Sequence, residues 1–579
     1  MASEDVSFMR ALCTGRIESE LIVPFPTLPE SDRETLGMVV EAIDDLLGPH
    51  EADFRAWDRA GELPTSFIEE LKAFGVFGLV IPEAYGGMGF GSTAYSRTLQ
   101  QLGRYDASVA VTVGAHSSIG MRGLLLFGTE AQRARWMPSL ATGERIAAFC
   151  LTEPGAGSDA ASILTTAVRD GDEWVLNGSK LWITNGGIAD FFTVFAKTGE
   201  AEARRNISAF VVTGDLPGVR IGPHEDKMGL RASSTTMVYL DNVRVPADHL
   251  LGEEGKGFKV AMQILNSGRT GLGGGCVGGI KRLIERTTAQ ATAREQFGRP
   301  ISSFGLIQQK IGQMVIEAYA AESVVNAVNG LIDGGSKEYA VEAAISKIYA
   351  TEALWRSADE ALQVAGGNGF MCDYPYERIV RDSRVNRIFE GTNEVLRLFV
   401  ALTAMSDVGA QLSELASSVQ GIFDDPIKGF GLMSDYARKR ASLAAGFSRS
   451  GSHLTGIVPE LGRPVAAFEG AVRKLATAVD RILRKHGKDI IGKQFASRRL
   501  ADIMIDLFVL ACVISRVSAA IEAKDPTAPQ QRSILEAFSR QALRRVEENL
   551  SRIDDNEDEL IKEIAAHALE TGRFVWDNL

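Results

Sequence analysis

Residues 149 to about 255 interrupt an otherwise helical texture, and this island limits the fold more than any other feature of the chain. Asp170-Gly171, Asn177-Gly178 and Asn185-Gly186 bracket "EWVL" and "KLWIT", and further β-branched and aromatic runs follow in "FFTVFAK", "ISAFVVT" and "TTMVYL". Asn-Gly and Asp-Gly between such runs are turn signals of paired strands. On either side, in "FIEELKAFGVFGLV" and "GFKVAMQILNSGR", apolar residues recur three and four apart, the period of an amphipathic helix. The order is helices, β, helices, helices, which is not the alternation of a doubly wound sheet.

We therefore expect a mainly α protein with a central β-barrel domain. The 579 residues exceed one compact core and divide into roughly three or four domains. The divisions are a lead 1–31, an N-terminal helical domain 32–147, a middle β-barrel 148–256, a helical domain 257–405 and a helical extension 406–579. The same order disposes of one motif. Gly273, Gly275 and Gly278 match G-x-G-x-x-G, but a helix pattern precedes them where a dinucleotide fold needs a strand. They read as sites of close helix packing.

A formal net charge of -12 leaves no basic field for nucleic acid. Five scattered cysteines without a C-x-x-C pair suit a reducing compartment, and the dispersed histidines form no metal-ligand pattern. The N-terminus has neither an apolar signal core nor the Arg-rich composition of a transit peptide. "IMIDLFVLACVI", residues 503 to 514, is interrupted by Asp506 and falls short of the roughly 20 residues of a membrane span. It reads as a buried core helix.

Chemistry concentrates in three places. "FCLTEPGAGSD", residues 149 to 159, offers small residues and the hydroxyls of Thr152 and Ser158 where a backbone could approach a flat polar ring. "KLWITNGG" follows with Trp182 for stacking and Thr184 for hydrogen bonding, although a lone Trp is more often core packing. In "RIFEGTNEVLRLFV", Glu390 stands between an aromatic ring and a glycine. The bland reading is a solvated acid favoured by a helix dipole; the alternative is a carboxylate seated dry for chemistry.

"FCLTEPGAGSDA", "LNGSKLWITNGG", "AREQFGRPISSFGLIQ", "QVAGGNGF" and "RIFEGTNEVLRLFVAL" resemble the acyl-CoA dehydrogenases in sequence, order and spacing, from about residue 20 through 405. The extension after residue 405 resembles that of the very-long-chain members in particular. The resemblance implies an N-terminal helical domain, a β-barrel and a four-helix domain with FAD between them. It places Phe149, Leu151, Thr152 and Ser158, with Trp182, Ile183 and Thr184, around the flavin ring. Thr392, Asn393 and Glu394 match the flavin-contacting turn. Arg294 and Phe297, and Gln363, Val364, Gly366 and Gly367, match positions that reach the FAD of a neighbouring subunit, so the resemblance implies at least a homodimer.

Glu390 matches the family's catalytic base, which removes a proton from Cα of a fatty acyl thioester while flavin takes hydride from Cβ. Burial beside Phe389 would raise its pKa and strengthen it as a base, and its backbone N–H would help stabilise the enolate. Some members carry the base on a preceding helix, but here that stretch reads "NSGRTGLGGG", without an acid. Asn266 and Arg269 match substrate-contacting positions, as do Ser158, Phe389 and Gly391. In "HSSIGMRG", Gly120 and Gly123 would either open the acyl tunnel or pack a helix, and the extension tilts the expected substrate toward long-chain and very-long-chain acyl-CoA.

The implied electron acceptor is electron-transfer flavoprotein. An acyl-CoA oxidase using oxygen, or a non-catalytic scaffold on the same fold, is the rival reading. Residues 419 to 440 mix apolar residues with Arg438, Lys439 and Arg440, as a peripheral membrane anchor would, or an ordinary loop or dimer contact. A bacterial cytoplasm is the expected location, with a mitochondrial one requiring an import segment that the sequence given lacks.

Overall fold

The computed structural model describes residues 6–199, 206–410, 412 and 451–577. It divides into two compact units, Phe25–Val395 and a second made of Met1–Pro24 with Leu396–Leu579. The 419–440 segment lies outside the described residues.

The first unit opens with helices between Glu30–Leu47 and Glu130–Ala141. The β island follows as eight strands: β1 Ala147–Cys150, β2 Thr166–Asp170, β3 Glu173–Thr184, β4 Phe191–Lys197, β5 Ile207–Thr213, β6 Val219–His224, β7 Thr235–Pro246 and β8 Leu250–Leu251. They form one sheet in the order β6-β7-β3-β2-β4-β5-β8, with β1 parallel to β4. The central β domain expected from the sequence is therefore present as one sheet, whose end strands β6 and β8 are not paired with each other among the described residues.

β4 and β5 are buried almost throughout, because both sheet faces are covered and successive side chains feed opposite faces. Phe191 and Phe195 join the core shared with the N-terminal helices, while Phe192, Val194 and Ala196 join the core inside the sheet.

Beyond the sheet runs a 37-residue helix, Gly257–Ala293. Its glycines serve different faces. A Cβ on Gly274 would lie 2.4 Å from the Ser96 carbonyl oxygen, and one on Gly278 would lie 1.9 Å from that of Gln100, so helix Ser92–Tyr105 can approach only because both are glycine. Of the fingerprint-like glycines, Gly278 and Gly273, whose Cβ would lie 2.8 Å from Val325 Cγ2, are helix-packing residues, whereas Gly275 has no such close neighbour. Helices Gly305–Asp333, Ala340–Ala365, Tyr376–Arg384 and Asn393–Ala404 follow.

The second unit joins both ends of the chain. Helix Phe8–Cys13 sets the Phe8 ring 5.7 Å from that of Phe508. The Ile17 N–H donates to the Gly451 carbonyl at 2.7 Å, and Ser515 Oγ donates to that of Ile22 at 2.5 Å. The lead separated out in the sequence analysis is therefore partly core of the extension.

Helix Gln494–Glu522 is longer than the apolar run read from sequence and is long and apolar enough to cross a membrane, as is the segment Ala107–Phe127. Yet 83% of the apolar window of Gln494–Glu522 is buried within the protein. The charge that interrupts it, Asp506, is paired with Arg545 at 2.5 Å.

Candidate active site

The chain turns sharply before helix Asn393–Ala404. A short 3-10 turn, Val385–Arg387, leads to Phe389 and then to Glu390, whose φ is +58°. The Phe389 N–H donates to the Val385 carbonyl at 3.1 Å, and Thr392 Oγ1 caps the new helix by accepting from the Val395 N–H at 3.2 Å. Glu390 thus stands ahead of the helix rather than in its first turn. A left-handed φ in a non-glycine residue costs of order 1–3 kcal/mol and collects at functional sites. Three of the seven described non-glycine residues with positive φ are Trp182, Phe297 and Glu390, all singled out from the sequence.

The Glu390 carboxylate faces inward. Its Oε2 is buried without a hydrogen-bond partner, and a Cβ on Gly268 would lie 3.5 Å from it. Burial raises the Glu390 pKa, opposed by the positive charges of Arg269 and Lys347. Arg269 is buried, and burial lowers its pKa to about 10. It donates from Nη1 to Asn266 Oδ1 at 2.6 Å and from Nε to the Glu390 carbonyl at 3.4 Å. A desolvated carboxylate between two cations is an arrangement for proton abstraction with a tuned base.

Glu390 and Phe389 line a largely apolar cavity together with Thr184. Gly268, Gly271, Gly275 and Gly279 line it from the long helix, and Ala110, Gly114 and Ser118 from the helix opposite. Residues at those spacings fall along one helix face, which leaves a groove where larger side chains would fill it. Gly120 and Gly123 are not in this lining. A Cβ on Gly120 would lie 2.8 Å from the Ala115 and Ala147 backbones, and one on Gly123 would lie 3.0 Å from Ile264 Cδ1, so here they pack the helix against its neighbours.

The two segments assigned to a flat ring lie side by side. The Leu181 N–H donates to the Thr152 carbonyl at 2.9 Å. A register shift in the β3–β7 pairing between Lys180 and Ile183 turns Trp182 outward, leaving it 63% exposed, while Ile183 is buried. Phe149 is half-buried against Phe195, Leu151 is buried and Ser158 is exposed. An outward indole beside hydroxyls and strand-end backbone suits a flavin ring, so these residues fit the group that the resemblance implies.

Arg294, Phe297, Gln363, Gly366 and Gly367 do not line the Glu390 cavity. They are exposed, Phe297 at 93% on the tip of the 295–300 hairpin, whereas Val364 is buried. Asn393 is buried and donates from Nδ2 to Thr351 Oγ1 and Glu352 Oε1, each at 3.1 Å, and Glu394 is exposed.

Sequence reasoning missed two buried lysines. Lys180 Nζ contacts Glu153 Oε1 and the Phe195 carbonyl, each at 2.7 Å, and the Leu151 carbonyl at 3.3 Å. Lys347, with no exposed surface, donates to the Gly391 carbonyl and to Asn393 Oδ1, each at 2.9 Å. Both left a trace in the sequence. Lys180 shares the inward parity of Trp174 and Leu176, and Lys347 interrupts the small, apolar run "AAISKIYA".

Family models of the acyl-CoA dehydrogenase N-terminal, middle and C-terminal domains match residues 29–144, 148–243 and 255–405, and one of the ACAD9/ACADV C-terminal domain matches 459–574. The chain is 42% identical over 591 residues to the very long-chain specific acyl-CoA dehydrogenase, mitochondrial, of Bos taurus, covering 99% of this chain and 88% of the relative. It resembles a solved acyl-CoA dehydrogenase complexed with FAD from Bacillus anthracis, at 31% identity and TM-score 0.80 over 98% of this chain and 96% of that one. A chain from a structure of the electron transferring flavoprotein of Acidaminococcus fermentans matches at 36% identity and TM-score 0.62, covering 65% of this chain and 98% of that one.

Proposed function

The chain belongs to the acyl-CoA dehydrogenase family and is an FAD-dependent acyl-CoA dehydrogenase of fatty-acid oxidation; on that premise we propose that Glu390 is its base and that its substrates are long-chain and very-long-chain acyl-CoA thioesters. The observation that carries the assignment is the buried, unpartnered Glu390 Oε2 at the wall of an apolar cavity.

In this reading Glu390 takes the proton from Cα of the acyl group as the Cα–Cβ double bond of the trans-2-enoyl-CoA forms. Bound FAD supplies the oxidant, accepting hydride from Cβ. Desolvation makes the Glu390 carboxylate more basic than a solvated one, while the charges of Arg269 and Lys347 favour its ionised form. The Glu390 backbone N–H donates to the thioester oxygen, and a donor of that kind is worth about 3 kcal/mol. Asn266 and Arg269 border the thioester, with Ser158, Phe389 and Gly391 completing its contacts.

We assign the flavin ring to Phe149, Leu151, Thr152 and Ser158, to Trp182, Ile183 and Thr184, and to the turn Thr392–Glu394. Arg294, Phe297, Gln363, Val364, Gly366 and Gly367 are assigned to the FAD of a second subunit, which makes the working form a homodimer. The exposure of all but Val364 supports this reading, because a guanidinium and an aromatic ring on the surface suit a diphosphate and its nucleoside. Electron-transfer flavoprotein is the proposed acceptor, and residues 419–440 a proposed peripheral membrane contact in a bacterial cytoplasm. The domain divisions after residues 147, 256 and 405 belong to the same reading.

The test is anaerobic. Saturated acyl-CoAs from four to twenty carbons are added to the holoenzyme and to Glu390→Gln, and bleaching of the flavin band is followed. Bleaching by long chains in the wild type alone is the expected result. Equal bleaching by Glu390→Gln would remove Glu390 from the role of base.

A further inference from the structure

Lys347 has a place that the chemistry above does not require. A lysine buried without water is costly unless its charge is met, yet among the described residues Lys347 makes no ion pair with a carboxylate. Its hydrogen-bond acceptors are the Gly391 carbonyl and Asn393 Oδ1, each at 2.9 Å. Both lie in the turn that follows Glu390. That turn is itself pinned to the Lys347 helix through Asn393, Thr351 and Glu352.

We propose that Lys347 is a positioning residue for Glu390: its buried ammonium clamps the 391–393 turn that fixes the base, and its charge favours the ionised carboxylate. The inference rests on the reading of Glu390 as the base. The other groups that bear on this pair are Arg269 and Cys276 from helix Gly257–Ala293 and Glu352 from the helix of Lys347 itself. Cys276 is buried, which raises its thiol pKa to about 12 and keeps it neutral. Glu352 lies on the far side of Asn393 and is engaged there. Arg269 and Lys347 are thus the two cations beside Glu390. Burial pulls Lys347 down to about 7, with the Glu390 charge working against that pull, so the two groups titrate as a pair.

The experiment is the pH dependence of flavin reduction by a long-chain acyl-CoA under anaerobic single-turnover conditions. It compares wild type, Lys347→Met, Lys347→Gln and Lys347→Arg. Loss of the cation is expected to move the acid limb of the rate upward by about one pH unit, the lower end of what a neighbouring opposite charge does. Lys347→Arg is expected to keep the acid limb where the wild type has it. A merely structural lysine would alter the rate or the yield of folded protein and leave the limb unmoved. Lys347→Gln keeps an N–H donor, so the charge test stands even if the methionine variant does not fold.

Glu390→Gln separates the two failures. Reduction that survives it overturns the base and this inference together. Reduction abolished by it, with an unmoved limb in the Lys347 variants that lack the charge, overturns the inference alone.

Discussion

Lys180 and Glu153 form an ion pair of 2.7 Å in the interior of the sheet, with 0% and 5% of their side-chain surfaces exposed. The pair ties together four stretches. Glu153 also accepts from the backbone N–H groups of Leu164 and Thr165, and Lys180 donates to the carbonyls of Leu151 and Phe195. Both residues belong to the segments assigned to the flavin ring. The pair is the internal fastening of that cradle.

Lys180→Met leaves the Glu153 carboxylate buried without its cation, a change that typically costs about 3–5 kcal/mol. We expect a lower denaturation midpoint and poor retention of FAD on gel filtration. Lys180→Met/Glu153→Leu removes both charges and is expected to recover part of the stability. A Lys180→Met protein with wild-type stability and flavin content would show that the pair fastens nothing.

The raised pKa of Glu390 has a direction. A base acts when ionised, so kcat/KM rises with pH through the Glu390 titration, and the acid limb falls above the range of an exposed glutamate. Glu390→Gln removes the proposed general base and is expected to slow flavin reduction by about 10²–10⁴-fold at every pH. Rapid-mixing absorbance across the pH range checks both statements.

Gly275 and Gly278 differ in what surrounds them. A Cβ on Gly275 would meet only the Leu99 carbonyl oxygen, at 3.9 Å, and this glycine lines the cavity. Helix rise puts it about 10 Å beyond Gly268, or roughly eight carbons of extended chain at about 1.2 Å per bond. Gly275→Leu is expected to exclude chains longer than roughly ten carbons while shorter ones still react. Gly278→Ala drives a methyl into the Gln100 carbonyl and is expected to destabilise by about 1–3 kcal/mol. An acyl-chain panel and denaturant melts distinguish the two.

Asp382 is buried, which raises its pKa to about 7, and its Oδ1 accepts from the Leu230 N–H at 2.6 Å. The folded protein therefore holds a proton there that the unfolded chain releases near pH 4. Stability from this group is greatest at low pH and falls as pH rises from about 4 to about 7, by at most about 4 kcal/mol. Asp382→Asn should flatten that part of the stability curve relative to wild type. Parallel curves for the two proteins would mean that Asp382 titrates normally.

Local pattern explains what the sequence revealed. Asp170-Gly171 and Asn185-Gly186 do close strands, whereas Asn177-Gly178 lies inside β3, at a register shift in its pairing with β7 rather than at a turn. The odd setting of Glu390 between Phe389 and Gly391 singles out the proposed base without any knowledge of its burial. Lys347 escapes notice because its partners lie forty-odd residues away across a helix packing that no window reaches. The glycines that line the cavity read only as packing, since a helix face is assigned by its neighbours. Phe8 falls with the lead because its partner, Phe508, is near the other end of the chain.

That last contact fixes an order of events during synthesis. Residues 25–395 form a compact unit of their own, and domains generally fold as units while the chain is being made. The Phe8 helix emerges about 500 residues ahead of the helix bearing Phe508. At about 5–20 residues per second the wait is roughly 25–100 s. Through that interval Phe8, Met9 and Leu12 lack their final cover, so the apolar face of this helix waits on the synthesis of the extension.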